Sequence, residues 1–274
     1  MQIAVIVTTY QWPDALSASL DSLAAQDDSG FEVIVAEDGE DPRNEVVVRR
    51  HQARFGPRLR HVRHEDRGFR AGTIRNAAVA ATRADYVIFL DGDCLVRPDF
   101  VRRHRALAEE GYFVPGNRVL VSESFTPRAI TLSPSIAGYA WWRLLGLRLL
   151  GRLNRFLPLL PLALGTLRKR HPRRWQKAMT CNVAVWRRDL LTVDGFDERY
   201  EGWGYEDSDL VIRLIHAGVR RKEGRFAVPV LHLWHRQNPR DQANENLRRL
   251  MARVDDPTFV KAERGLSQHA GGTP

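Results

Sequence analysis

The sequence predicts an α/β protein with a mostly parallel central sheet flanked by helices. Three observations carry this. Apolar runs rich in β-branched residues occupy 3–8, 31–36 and 86–90, the pattern of strands covered on both faces. Helical apolar spacing fills the intervals, so strand and helix alternate at roughly 30-residue intervals, the length of a βαβ unit. Each of these strands stops at hydroxyl or carboxylate residues, and open α/β sheets bind ligands beyond the carboxyl ends of their strands.

Residues 3–8 have no basic region ahead of the apolar run and are expected to form a first strand rather than a signal peptide. Pro13 marks a helix start, and residues 15–26 carry Leu16, Leu20 and Leu23 at helical spacing. The second strand, 31–36, runs into Glu37, Asp38 and Gly39. A helix is expected over 44–55 and a short strand over 59–62. Residues 67–72, with Gly68, Arg70 and Gly72, form a loop before a helix over 73–82. The strand at 86–90 leads into Asp91, Gly92 and Asp93, and a helix over 98–111 lies beyond. Residues 112–122 supply one or two strands, broken at Pro115 and Gly116. Strand character returns at 179–186 and 226–233, and Leu210, Val211, Leu214 and Ile215 give 207–217 the stripe of a helix. After about Pro257 the chain reads as a polar tail, with disorder expected at 271–274.

The apolar share of 43% and charged share of 27% are ordinary for a soluble globular protein. Two cysteines, Cys94 and Cys181, give neither a disulfide framework nor metal-ligand spacing, and a reducing compartment is the simpler expectation. The net charge of +9 is uneven: residues 124–188 hold thirteen Lys or Arg and no Asp or Glu. Without that stretch 29 basic residues face 33 acidic ones, a net of −4. The basicity therefore belongs to one region, whose partner should be anionic: a membrane surface, a phosphorylated acceptor or nucleic acid.

Three strand ends converge on one type of ligand. Thr8, Thr9 and Tyr10, with Asp38, can hold a nucleotide base and ribose. Asp91 and Asp93 suit a hard divalent cation, Mn²⁺ or Mg²⁺, which can hold a diphosphate. Arg70 and Arg75 lie between them and could neutralise phosphates. Taken alone, each of these features is also ordinary strand-end and turn chemistry. In the second half, Gly202-Trp203-Gly204-Tyr205-Glu206-Asp207-Ser208-Asp209 opens a helix. Helix-dipole capping explains one carboxylate there but not three behind a glycine-flanked tryptophan. An aromatic ring can stack on a pyranose, and a carboxylate can take a proton from a hydroxyl. Finally, His232 and His235 stand three apart, on opposite faces of a regular strand, so one is the expected metal ligand unless a turn begins at Leu233. His235, nearer the loop, is the choice.

These motifs resemble family 2 glycosyltransferases with the GT-A nucleotide-sugar fold. Val7-Thr8-Thr9-Tyr10, then residues 32–35 with Asp38-Gly39, then residues 68–76 and Asp91-Gly92-Asp93 follow the family in order and spacing. The Trp-Gly-x-Glu-Asp motif with the downstream histidines is similar to the galactosyltransferase and chondroitin-polymerase type. The resemblance spans about residues 1–240 and implies a role for each residue. Thr8, Thr9, Tyr10 and Asp38 would contact the base, uracil favoured, and the ribose. Asp93 would bind the metal, with Asp91 and Gly92 nearer the ribose or an outer-shell water. His235, with His232 as second candidate, would complete the metal site. Asp207 would be the general base, and Trp203 and Glu206 would hold the acceptor. The implied activity is inverting transfer from a nucleotide diphosphate sugar to a glycan or glycolipid hydroxyl. A single domain over 1–258 is expected, with a donor half (1–122), a basic insert (123–178) and an acceptor half (179–258).

The insert has no counterpart in the family pattern. On a helical wheel Arg148, Arg152 and Arg155 fall in one narrow sector, and most leucines of 136–157 lie outside it. The longest uncharged run, 156–167, is twelve residues with two prolines, short of the ~20 needed to span a bilayer. A basic amphipathic helix lying on an anionic membrane is expected, which with the missing leader places the protein in the cytoplasm at the inner face of the cell membrane. Bacterial surface polysaccharide or lipopolysaccharide synthesis would suit that location. Two other classes fit less well. Sugar-nucleotide pyrophosphorylases need a glycine-rich first loop, absent from residues 8–13. A nucleic-acid binder would expose cations, and the stretch is too leucine-rich for that.

Overall fold

The computed structural model describes residues 1–236 and 241–269. The expected disorder at 271–274 falls outside them. The architecture is α/β, as the alternating pattern predicts. Along the first half, β1 (Ile3–Thr9), α1 (Pro13–Ala24), β2 (Phe31–Asp38), α2 (Pro42–Phe55), β3 (Leu59–His64), α3 (Ala71–Ala80), β4 (Tyr86–Asp91), β5 (Cys94–Val96) and α4 (Phe100–Leu107) follow in order. Then come β6 (Tyr112–Pro115), β7 (Asn117–Leu120), α5 (Thr126–Thr131), α6 (Trp141–Leu149), β8 (Asn182–Trp186) and α7 (Arg187–Thr192). The chain continues through α8 (Glu206–His216), β9 (Arg220–Arg221), β10 (Pro229–His232) and α9 (Ala243–Val254).

The described residues form a seven-stranded sheet, ordered β3-β2-β1-β4-β8-β6-β9, and a three-stranded sheet, β5-β10-β7. Strands β3, β2, β1 and β4 run parallel, while β8 is antiparallel to both β4 and β6. Every residue of β1 is buried, because helices cover both faces, which is why its sequence is apolar without alternation. One apolar core lies on the α1–α2 side of the large sheet and another on the α3–α8 side. Helix starts follow local chemistry. Pro13 and Pro42 occupy first-turn positions, and the Asp41 side chain accepts the Arg43 N–H, capping α2.

Two regions differ from the sequence expectation. The stretch 123–178 is not one long amphipathic helix. α6 stops at Leu149, the chain turns at Gly151 with φ +70°, and short 3₁₀ turns follow at Leu157–Leu159 and Gly165–Lys169. Arg152 and Arg155 therefore do not share a helix with Arg148. Leu144, Leu153 and Leu159 are buried in a third core with Leu231 and Leu233 around the small sheet. Burying such a side chain contributes about 1.5–3 kcal/mol, so these three leucines fasten the stretch to the body. Residues 259–269, expected as part of a polar tail, pack as well: Leu266 is buried in the α3–α8 core. No helix among the described residues is long and apolar enough to cross a membrane.

Candidate functional site

At the carboxyl end of β4 the chain must turn hard against β1. Gly92 N–H donates to the Thr8 carbonyl at 2.7 Å. A Cβ on Gly92 would stand 3.0 Å from Thr9 Cβ and 3.1 Å from the Thr8 oxygen, so any larger spacer between Asp91 and Asp93 would have to push β1 aside. Gly92 thus sets the carboxylates by backbone fit. Thr8 and Thr9 are themselves buried at this junction.

Asp93 and the two histidines meet. β10 ends at His232, and the Leu233 N–H donates to the Asp93 carbonyl at 2.9 Å, bending the chain so that both imidazoles turn to the same carboxylate. Thr126 Oγ1 accepts the Trp234 N–H at 2.9 Å and holds that bend from α5, and the Trp12 ring meets His235 edge-on. His232 Nε2 lies 3.6 Å from Asp93 Oδ1 and His235 Nε2 lies 3.4 Å from Asp93 Oδ2. Each Nδ1–H donates to a backbone carbonyl, of Leu233 and of Arg236, at 2.9 Å. With each Nδ1 engaged by a carbonyl, Nε2 is the ring nitrogen that each histidine turns to the carboxylate. The two imidazoles flank Asp93, one at each carboxylate oxygen and each oriented by a carbonyl, donors of the kind a divalent cation takes. The turn at Leu233 that would let both histidines reach one site is present. Among the described residues the compact group of possible ligands is Asp93, His232 and Cys94, a cysteine whose spacing suggested no metal role, and His235 lies outside it. Burial pushes the Cys94 thiol well up, which opposes the thiolate a metal requires.

Arg75, expected to neutralise phosphates, is paired within the chain. It is buried, with Nε donating to Thr8 Oγ1 at 3.1 Å, Nη2 against Asp91 Oδ1 at 3.1 Å and Nη1 against Glu206 Oε1 at 3.3 Å. One guanidinium therefore ties the end of β1, the end of β4 and the start of α8 together. Asp38 is buried too. Its oxygens accept from His64 Nε2 and from the Arg70 backbone N–H, both at 2.7 Å, and the Arg70 guanidinium turns to the Glu65 carbonyl at 2.5 Å. Asp38 pins the 65–70 loop, and the partly exposed Arg70 guanidinium, among the described residues, meets no carboxylate. The side chain facing outward here is Tyr10, 42% exposed, whose hydroxyl donates to Asp66 Oδ2 at 3.3 Å; Gln11 donates to the same oxygen at 3.1 Å. Asp66 and Gln11 went unnoticed in the sequence, where nothing but polar loop composition marks them.

The Gly202–Asp207 turn opens α8 with Tyr205 in the left-handed region, φ +74°, an uncommon conformation for an aromatic residue. The turn aims Glu206 at Arg75 and leaves Asp207 half-buried with the Ser208 N–H donating to it at 2.7 Å. Burial, and then the Glu206 carboxylate, raise the Asp207 carboxyl to about 7, against the opposing pull of Arg75. Such a value suits a proton acceptor near neutral pH. The third carboxylate of the motif is different. Asp209 is buried, with Arg213 Nε and Arg253 Nε at 2.8 Å and the Tyr200 hydroxyl donating at 3.2 Å, which commits it to the fold. Trp203 stands edge-on to Tyr205, ring centroids 6.4 Å apart.

The glycosyl transferase family 2 profile matches residues 4–161, and that of the N-terminal domain of galactosyltransferase matches residues 164–235. The chain belongs to glycosyl transferase family 2. Residues 124–161 of the basic stretch fall inside the first match, so most of that stretch is not foreign to the family. Validoxylamine A glucosyltransferase of Streptomyces hygroscopicus subsp. jinggangensis is 28% identical over 96% of this chain and 61% of its own length. Chondroitin synthase of Escherichia coli is 24% identical over 89% of this chain and 36% of its own. The chain spans about three fifths or less of these relatives. Among solved structures, S. aureus TarS 1–349 in complex with UDP superposes with a TM-score of 0.64 at 15% identity, over 98% of this chain and 68% of that one. Mannosyltransferase PcManGT from Pyrobaculum calidifontis, in complex with GDP-Man and Mn²⁺, gives 0.60 at 18%, over 98% and 69%. The fold is GT-A.

Proposed function

We propose that this protein is an inverting glycosyltransferase that moves a sugar from a nucleotide diphosphate sugar, with UDP as the favoured nucleotide, to a hydroxyl of a glycan or glycolipid. The observation that carries this reading is the combination at the two ends of the Arg75 bridge. One end has Asp93 flanked by His232 and His235, one imidazole at each carboxylate oxygen. The other has a carboxyl, Asp207, raised to about 7.

Tyr10, supported by Gln11 and Asp66, and the hydroxyls of Thr8 and Thr9 line the nucleoside end, with Asp38 shaping the loop beside it. Trp203 offers a ring to a pyranose face, and Glu206, steadied by Arg75, accepts a hydrogen bond from the acceptor. Asp207 takes the proton of the attacking hydroxyl as the new glycosidic bond forms and the bond to the diphosphate breaks, a single displacement that inverts the anomeric carbon. Mn²⁺ or Mg²⁺ on Asp93 and the histidine Nε2 atoms, with Asp91 toward the ribose or an outer-shell water, would neutralise charge on the departing diphosphate. The UDP in TarS and the Mn²⁺ in the mannosyltransferase support donor class and metal. The glucosyltransferase and chondroitin synthase relatives support a glycan destination, such as surface polysaccharide or lipopolysaccharide.

The test is turnover of a panel of nucleotide sugars with and without Mn²⁺. Metal-dependent release of one nucleoside diphosphate is expected. Release of none, in a folded preparation that also fails to bind UDP with Mn²⁺, would overturn the reading.

A further inference from the structure

The fold leaves an unusual surface on the basic stretch. On α6, at about 100° per residue, Leu144 and Leu147 face the small-sheet core. The opposite sector carries Trp142, Leu145 and Leu149, with Trp141 at the flank, and Trp141, Trp142 and Leu149 are 57%, 60% and 78% exposed. The helix is therefore apolar on two sides, and among the described residues Trp141, Trp142 and Leu149 of the outer side stay exposed. Leu150 and Leu157 continue the apolar surface past the helix end, 73% and 67% exposed. The leucines point outward where the sequence pattern assigns solvent to the arginines.

Charge says what covers this face. Arg143, Arg148 and Arg155 are exposed around it, and among the described residues no carboxylate pairs with any of them. Further along the same stretch some cations are neutralised, Lys169 by Glu109 at 2.6 Å and Arg188 by Glu110 at 3.1 Å, while Arg170, Arg173 and Lys177 are exposed and, among the described residues, meet no carboxylate. Cations open to an anionic partner therefore begin at the part with exposed tryptophan and leucine and run on beyond it. A second copy of this chain would set arginines against arginines across a symmetric contact. Nucleic acid would leave the leucines and tryptophans without an apolar partner. An anionic bilayer satisfies both sets at once. Tryptophan and leucine enter the headgroup–acyl boundary, and arginines pair with lipid phosphates.

We infer that the outer face of α6, with residues 150–157, is a docking surface for anionic lipid bilayers. Because Leu144, Leu153 and Leu159 fasten the stretch to the body, the surface is preformed, and docking needs no unfolding. The inference does not rest on the proposed reaction.

The experiment is flotation of the intact protein with phosphatidylcholine vesicles, with and without phosphatidylglycerol, at low and high salt. Binding is expected with the anionic vesicles and weaker at high salt, with a salt-resistant remainder. The variant R143E/R148E/R155E should lower binding to anionic vesicles by about 100-fold or more. The variant W142S/L149S should remove the salt-resistant remainder. Both variants alter exposed side chains away from the nucleotide site, and thermal stabilisation by UDP with Mn²⁺ checks that they fold and keep it. Were the wild-type protein to bind neither vesicle, or both equally, or were it to form a dimer abolished by W142S/L149S while ignoring lipid, the inference would be overturned. Loss of UDP binding alone, with flotation intact, would strike the proposed function and leave this surface standing.

Discussion

The proposed donor side and the proposed catalytic side of the site handle buried charge in different ways. Around the ends of β1 and β2, each buried charge has its complement within the chain. Asp38 accepts from His64 and from the Arg70 backbone, and Arg75 faces Asp91 and Glu206. Around the end of β10 and the start of α8, burial raises the carboxyls: Asp93 against the pull of His232 and His235, and Asp207, with Glu206 beside it, to about 7. Internal pairing builds a rigid wall, and unmet demand marks where something else must bind or a proton must move. The comparison teaches that sequence motifs locate both sides, while only the pairing tells them apart.

Asp93→Ala breaks the catalytic side most completely. It removes the carboxylate that both histidines face, so metal-dependent binding of UDP should disappear. Calorimetry with UDP, with and without Mn²⁺, reads this directly, and unchanged Mn²⁺-dependent affinity would remove Asp93 from the metal site.

Asp207→Asn should leave UDP binding intact and lower turnover by ~10²- to 10⁴-fold, the usual worth of a positioned base. In the wild-type enzyme kcat/KM should rise with pH through about 7 as Asp207 ionises. The stability sign runs the other way. A carboxyl whose folded pKa is raised binds its proton more tightly when folded, so stability falls as pH rises from about 4 through about 7. Asp207→Asn escapes that loss and should be more stable than wild type at pH 8, by roughly 1–3 kcal/mol, and little changed at pH 5. Should turnover stay within a few-fold of wild type, Glu206 is the next candidate; Asp209, already held by Arg213 and Arg253, is not.

How much of this was legible beforehand divides along the same line. Strand order in the first half, the turn at Gly92 and the carboxylates of Asp91 and Asp93 follow from apolar periodicity and strand-end chemistry. What periodicity cannot give is a partner distant in the sequence. Arg75 reads as a phosphate ligand because a helix-borne arginine beside a loop looks free, and its burial against Asp91 and Glu206 exists only after folding. The two histidines could be joined only by a turn that the strand pattern leaves open. Residues 259–269 read as solvated because few are apolar. Yet Ser267 donates to Asp194 and His269 meets Glu198 at 2.6 Å, polar pairs that composition cannot distinguish from contact with water.

Arg75→Met tests whether the bridge is structural. Leaving Asp91 and Glu206 without their buried cation should cost about 3 kcal/mol of stability, at the lower end for broken buried pairs because Asp91 is partly exposed. Removing the guanidinium also removes the cation that, with the Ser208 and Thr180 backbone N–H groups, lowers the Asp207 carboxyl, so the limb of the pH–rate profile should move upward. A loss of UDP affinity with unchanged stability and an unmoved limb would return Arg75 to the role of phosphate ligand.

Asp38→Asn should have the smallest effect, and it sharpens the comparison from the donor side. Both Asp38 oxygens already accept hydrogen bonds, from His64 Nε2 and from the Arg70 N–H. An asparagine keeps one acceptor oxygen for the Arg70 N–H and turns its amide toward His64, which can answer by presenting a lone pair in its neutral form. The loop that carries Asp66 and Gly68 should therefore hold its shape at a cost of about 1 kcal/mol, the net worth of one hydrogen bond, somewhat more if the lost bond was charge-assisted. UDP affinity should fall by less than tenfold, because on this reading Asp38 acts on the nucleotide through the loop. Titration of UDP into the variant, beside its thermal unfolding, separates the cases. A larger fall in affinity with no loss of stability would mean that Asp38 reaches the base itself, and that its internal pairing in the nucleotide-free protein is exchanged for the ligand on binding.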